Sequence, residues 1–92
     1  MPNKAIFFDR DGTLNVDVHY LHEPADFVWV EGAIEAIRWA NEHGYLVIVV
    51  TNQSGIARGY YDAAAVHRLH DWMNAELARQ GARIDAFYYL SL

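Results

Sequence analysis

Lys4-Ala5-Ile6-Phe7-Phe8-Asp9-Arg10-Asp11-Gly12-Thr13 runs four apolar residues into two carboxylates that alternate across one arginine. A short unbroken apolar run bounded by polar turn residues suits a strand buried on both faces, as in a parallel sheet. Asp9 and Asp11 then stand where that strand ends, the place at which open α/β sheets bind ligands. If strand geometry persists through Asp11, both carboxylates point the same way, because strand side chains repeat every second residue. Gly12 lets the chain turn away. Two carboxylates held together call for a positive charge between them, and Mg²⁺, a hard oxygen-seeking cation, fits.

Outward from this stretch, the elements alternate. Leu14 to Val30 reads as irregular, with Asp17, His19, Tyr20, His22, Glu23 and Pro24 forming a polar, aromatic loop downstream of the carboxylates. Phe27 to Val30 reads as a short extended segment or the edge of a lid. Glu31-Gly32 opens a helix whose apolar face is Ala33, Ile34, Ile37 and Ala40, and Gly44 ends it. Tyr45 to Val50 is apolar on both faces and rich in β-branched residues, a second central strand. It breaks at Thr51-Asn52-Gln53-Ser54-Gly55. Asp62 is the expected N-cap of a second helix with stripe Val66, Leu69, Met73 and Leu77, closed by Gly81. Ile84 to Leu90 is the third strand. The pattern β-α-β-α-β predicts an α/β fold with a three-stranded parallel sheet, half of a doubly wound architecture.

Composition sets bounds. The 92 residues make one small domain spanning 1–92, and 53% hydrophobic residues with 14% aromatics are enough to fill a core. A formal net charge of −5 argues against nucleic acid or an anionic membrane as partner. With no cysteine there is neither a disulfide nor a thiolate metal site. The apolar run before Asp9 is too short for a signal peptide or a spanning helix, so a cytoplasmic location is the expectation.

Parallel strands bring the ends of the first two strands to one crevice. An ionised carboxylate there is a competent nucleophile toward a phosphoryl group, giving an aspartyl-phosphate. The second carboxylate can protonate the leaving oxygen and later deprotonate the attacking water. A hydroxyl or amide at Thr51 or Asn52 can hold a phosphate oxygen, and Arg58 offers a fork of donors for a second anionic group. His19 and His22 flank Tyr20 as weaker candidates for substrate contact. His67 and His70 lack the pattern of a helical zinc site and read as a solvated face. Trp29, Trp39 and Trp72 read as packing residues.

Phe8-Asp9-Arg10-Asp11-Gly12-Thr13-Leu14-Asn15 resembles the first motif of the haloacid dehalogenase phosphatase superfamily, Asp-x-Asp-Gly-Thr. Val50 to Gly59, with Asp17 to His22, is similar to the D-glycero-D-manno-heptose 1,7-bisphosphate 7-phosphatases and the related histidinol phosphatases. The resemblance runs over nearly the whole chain and implies the N-terminal half of a haloacid dehalogenase-like fold. It implies Asp9 as nucleophile and Asp11 as general acid/base, with Mg²⁺ held by the Asp9 carboxylate and the Asp11 carbonyl. It further implies substrate contacts from Asp17, His19 and Tyr20 and from Thr51, Asn52, Gln53 and Ser54. The implied substrate is a small phosphorylated sugar.

Two departures qualify that picture. The family's second half supplies a lysine that steadies the phosphate and acidic residues that complete the metal shell, and neither follows here. Many members place a zinc-ligating cysteine after the tyrosine pair; here Leu90 follows Tyr88-Tyr89, so no zinc is expected. Without a strand from the second half, Ala5 to Phe8 becomes an apolar edge, a route to self-association. The competing readings are a histidinol-phosphate phosphatase, a catalytically incomplete phosphate-binding or interaction module, and a phosphatase for nucleic-acid ends.

Overall fold

A computed structural model describes residues 4–91. Three strands, β1 (Lys4–Asp9), β2 (Tyr45–Asn52) and β3 (Ala86–Leu90), form a parallel sheet in the order β1-β2-β3. Helix α1 (Ala33–Glu42) joins β1 to β2. A single-turn helix α2 (Ser54–Ala57) and the longer α3 (Ala63–Ala78) join β2 to β3. This is the α/β arrangement the sequence predicts.

Both connecting helices cover the same face. Ile37 and Ala40 of α1 and Leu69, Met73 and Leu77 of α3 share one buried cluster with Val47 and Val49 of β2. Register and alternation assign Ile6 and Phe8 of β1 and Phe87 of β3 to that covered side, and all three pack on the cluster. The opposite side carries Ala5 and Phe7, Leu46, Ile48 and Val50, and Ala86, Tyr88 and Leu90. There Phe7 is 66% exposed and Tyr88 61%. The sheet is therefore buried on one face, not on the two that its continuous apolar runs suggest.

The helix ends follow the local chemistry. Gly44 takes a φ of 79°, the left-handed conformation that stops α1. The Asp62 carboxylate accepts from the Ala65 N–H at 2.9 Å and caps α3. The irregular stretch Leu14 to Val30 is tied at its ends: Val16 N–H donates to the Val28 carbonyl and Val30 N–H to the Leu14 carbonyl, each at 2.8 Å.

Four details correct the sequence reading. β2 continues through Thr51 and Asn52, because both pair with β3. β3 starts at Ala86, since Asp85 closes a local bracket on Val47 with its N–H and its carboxylate. Trp39 is 52% exposed and stacks on His43 and Tyr45, outside the core that Trp29 and Trp72 join. His70 is buried at 4% exposure, whereas His67 stays on the solvated face. Among the described residues no helix is long and apolar enough to cross a membrane.

Candidate active site

The site begins where β1 ends. Asp9 is the last strand residue, and its exposed carboxylate makes no hydrogen bond among the described residues. Strand geometry stops there, so alternation does not carry through to Asp11. The Arg10 carbonyl instead accepts from the N–H groups of Thr13, Leu14 and Asn15, folding the chain into a tight knuckle. Gly12 sits in it at a φ of 87°, a conformation that glycine adopts without steric cost.

The knuckle turns Asp11 into a dense set of donors. Arg10 Nε and Nη2 donate to Asp11 Oδ1 at 3.1 and 3.0 Å, and Nη2 also reaches Oδ2 at 3.2 Å. Asn15 Nδ2 donates to Oδ1 at 3.0 Å, and Thr51 Oγ1 to Oδ2 at 3.3 Å. Behind Thr51 the bonds continue in one direction: Gln53 Nε2 donates to Thr51 Oγ1 at 2.7 Å, and the Tyr61 hydroxyl donates to Gln53 Oε1 at 2.5 Å. Burial raises the Tyr61 pKa, with the Arg10 charge opposing, which keeps the phenol protonated as that donor.

Arg10, at 1% exposure, carries a charge into the interior, where it survives only if fully partnered. Its remaining donors go to His70 Nε2 at 3.2 Å and to the Leu21 carbonyl at 3.4 Å. A guanidinium only donates, so His70 Nε2 accepts and the ring proton of the neutral imidazole lies on Nδ1. Burial, then the charge of Arg10, lowers the His70 pKa to about 3.

In front of Asp11 lies a cleft of about 270 Å³ lined by Arg10, Asp11, the 17–21 loop, Asn52, Gln53, Ser54 and Tyr61. Asp17, His19, Tyr20, Asn52, Gln53 and Ser54 thus converge on one opening. Thr51, buried at 5%, stands behind the wall with its hydroxyl turned to Asp11. Asp9 and Arg58 do not line the cleft; Arg58 is exposed at the C-terminal end of α2. The loop wall is aromatic: Tyr20 lies between His19 and Tyr60, and His22 stacks on Tyr61. Tyr20 holds a φ of 55°, an unusual conformation for a bulky residue, and the His22 Nδ1–H donates to its carbonyl at 2.8 Å.

Arg10, Asn15, Tyr61 and His70 are the contributors that sequence reasoning missed. Asn15 lay within the quoted motif and could have been flagged as a side-chain amide one knuckle after Asp11. Nothing in the local sequence marks His70.

Among the described residues no group of three His, Cys, Asp or Glu side chains is placed to enclose a metal. The Asp9 carboxylate and the Asp11 carbonyl, neither of which accepts a hydrogen bond from the backbone among the described residues, nevertheless suit Mg²⁺. That ion is commonly held by one or two protein oxygens together with water and substrate phosphate.

Residues 4–90 match the family profile described as polynucleotide kinase 3 phosphatase. The chain belongs to this phosphatase family. Within the family it falls among the haloacid dehalogenase-like heptose-bisphosphate phosphatases, over roughly their N-terminal half. It is 49% identical over 87 residues to the D-glycero-beta-D-manno-heptose-1,7-bisphosphate 7-phosphatase of Haemophilus influenzae, covering 95% of this chain and 47% of that protein. With the D-glycero-alpha-D-manno-heptose-1,7-bisphosphate 7-phosphatase of Burkholderia mallei the identity is 48% over 89 residues, 97% of this chain and 47% of the relative. Among solved structures, the D,D-heptose 1,7-bisphosphate phosphatase from B. bronchiseptica, complexed with magnesium and phosphate, superposes with a TM-score of 0.89 at 35% identity. That match covers 96% of this chain and 50% of the other. The chain spans about half the length of the phosphatase-family relatives it matches.

Proposed function

We propose that the chain carries the nucleophile-bearing part of a Mg²⁺-dependent phosphomonoester hydrolase acting on a phosphorylated sugar of the heptose 1,7-bisphosphate type. Residues 1–92 are read as a single unit, the N-terminal part of a haloacid dehalogenase-like domain. One observation carries this reading: Asp9, whose carboxylate makes no hydrogen bond among the described residues, closes strand β1, and two residues on Asp11, a carboxylate oriented by at least three donors, lines a cleft walled by Asn52, Gln53 and Ser54.

Asp9 attacks phosphorus and the ester P–O bond breaks, and Asp11, entering this step as the carboxylic acid with the proton on Oδ2, gives that proton to the departing oxygen. Asp11 then takes a proton from the water that releases phosphate from Asp9. The side-chain amides of Asn52 and Gln53 and the Ser54 hydroxyl supply neutral donors for phosphate oxygens, and Asp17, His19 and Tyr20 meet the sugar. Bound at Asp9 and the Asp11 carbonyl, Mg²⁺ would offset negative charge between carboxylate and phosphate.

The test is phosphate release from heptose 1,7-bisphosphate and from p-nitrophenyl phosphate, with Mg²⁺ and with chelator. Asp9→Asn should abolish Mg²⁺-dependent turnover, and Asp11→Asn should lower kcat by roughly 10²–10⁴-fold. Equal turnover in Asp9→Asn overturns the reading.

A further inference from the structure

We propose that His70 is a positioning residue for the cleft: from α3 it holds the buried Arg10 guanidinium in the one orientation that fixes the Asp11 carboxylate and the 17–21 loop together. The catalytic consequence rests on the phosphatase reading; the clamp itself does not.

Three observations carry it. First, Arg10 is almost fully buried, and its Nε, Nη1 and Nη2 are all engaged, by Asp11, His70 and the Leu21 carbonyl. Among the described residues His70 is its only side-chain partner other than Asp11. Second, His70 is itself fixed from the far side. Its ring lies flat on Phe87 of β3, with ring centroids 4.0 Å apart and planes 10° from parallel. His70 on α3 and Phe87 on β3 meet where the helix packs on the sheet, so the imidazole swings only by breaking the stack. Third, a charged imidazole would have no lone pair to offer Arg10 and would place two cations in contact. Burial and the neighbouring charge keep His70 neutral, so its Nε2 remains an acceptor.

Geometry makes the role one of orientation. A guanidinium is a rigid planar fork, so fixing Nη1 at His70 fixes the direction in which Nε and Nη2 face Asp11. Nη2 simultaneously contacts the Leu21 carbonyl, which ends the loop that walls the cleft. Placement errors of about 1 Å at a reacting group cost on the order of 10²-fold in rate. A residue that sets the rotation of Arg10 therefore acts on the chemical step through Asp11 and on substrate contact through the 17–21 loop.

Two substitutions separate this from a packing role. His70→Phe preserves the flat stack on Phe87 and removes the acceptor. His70→Gln keeps an acceptor oxygen and gives up the stack. The first readout is hydrogen exchange of the Arg10 Nε–H by NMR on the full chain, which needs no activity. Slow exchange is expected in the wild type and in His70→Gln. In His70→Phe the same proton should exchange at least 10-fold faster while the backbone spectrum stays dispersed. If His70→Phe does not fold, His70→Gln together with wild-type scalar coupling between Arg10 Nη1 and His70 Nε2 decides. Equal protection in a folded His70→Phe, or absent coupling in the wild type, overturns the clamp.

The second readout is turnover of p-nitrophenyl phosphate with Mg²⁺ on the same samples. A fall in kcat of about 10-fold or more in His70→Phe, restored in His70→Gln, supports the positioning role, and any accompanying rise in KM reports the 17–21 loop. Equal losses in both variants, or a change confined to KM, overturn it. A wild-type chain with a protected Arg10 Nε–H and no turnover overturns the phosphatase reading and supports the clamp.

Discussion

Gly55 shows how little room the site leaves. A Cβ added there would run into the ring of Tyr61, the residue that starts the donor chain toward Asp11. Gly55→Ala should therefore cost about 1–3 kcal/mol, read from urea denaturation, and most of that cost should vanish in a Tyr61→Ala background. His70 supplies a pH dependence. Unfolded, it takes up a proton near its model value of 6.5; folded, it does so only at about 3. Between those values the unfolded chain binds more protons, so stability falls as pH drops below about 6.5, by at most roughly 1.4 kcal/mol per pH unit. Above that window the contribution is flat. Denaturation midpoints at pH 7, 6 and 5 should fall more steeply for the wild type than for His70→Gln, and parallel slopes would refute the assignment. At this scale Asp11, Asp17, His19, Tyr20, Asn52, Gln53 and Ser54 were legible as neighbours, because strand ends in a parallel sheet gather in one crevice, while Asp9 and Arg58 fall outside the cleft lining and Tyr61 went unmarked. Nor were Arg10 and His70 legible. Whether a histidine on α3 faces water or a guanidinium depends on a contact across sixty positions, and no local pattern encodes it.

The elements are held in register by side chains that imitate backbone. Asn74 of α3 donates from Nδ2 to the Ile84 carbonyl at 3.0 Å and accepts the Ile84 N–H at 2.8 Å. Asn41 of α1 does the same for Arg83, at 3.1 and 2.8 Å. Two helices thus supply the hydrogen bonds that a neighbouring strand would give the segment entering β3. Removing one such amide leaves two backbone groups unmatched, so Asn74→Ala should cost about 1–3 kcal/mol, with early loss of protection at the Ile84 amide in hydrogen exchange. Asp62→Ala should cost about 1 kcal/mol through its cap on α3, measured by thermal denaturation. That cap, both main helices and all three strands were legible from periodicity and from Gly and Asp signals. The Asn brackets were not, since an asparagine on a helix looks alike whether it faces solvent or a passing chain. Strand ends were misplaced for a related reason: Thr51 and Asn52 look like loop residues, yet pairing with β3 keeps them extended.

Across the molecule, one face of the sheet carries the helices and the other exposes Phe7, Tyr88 and Leu90 around half-buried Ile48 and Val50, beside a β1 edge that among the described residues pairs on one side only. An apolar face and an open edge together favour association. The 92-residue chain should sediment as concentration-dependent oligomers, and Phe7→Lys should shift it toward monomer without disturbing the helices. A wild-type chain that stays monomeric and fully folded at high concentration refutes this. The one-sided burial was beyond the sequence, because a strand apolar on both faces looks the same whether its second layer is present or not. The order β1-β2-β3 also has a temporal side. Each strand pairs with the one made before it, and none must be inserted between two others. As the polypeptide leaves the ribosome, the sheet can grow at one margin in the order of translation. The cleft is walled by residues 10 to 61, yet Asn52 pairs with β3 and His70 stacks on Phe87, so that wall is fixed only once β3 has been synthesised.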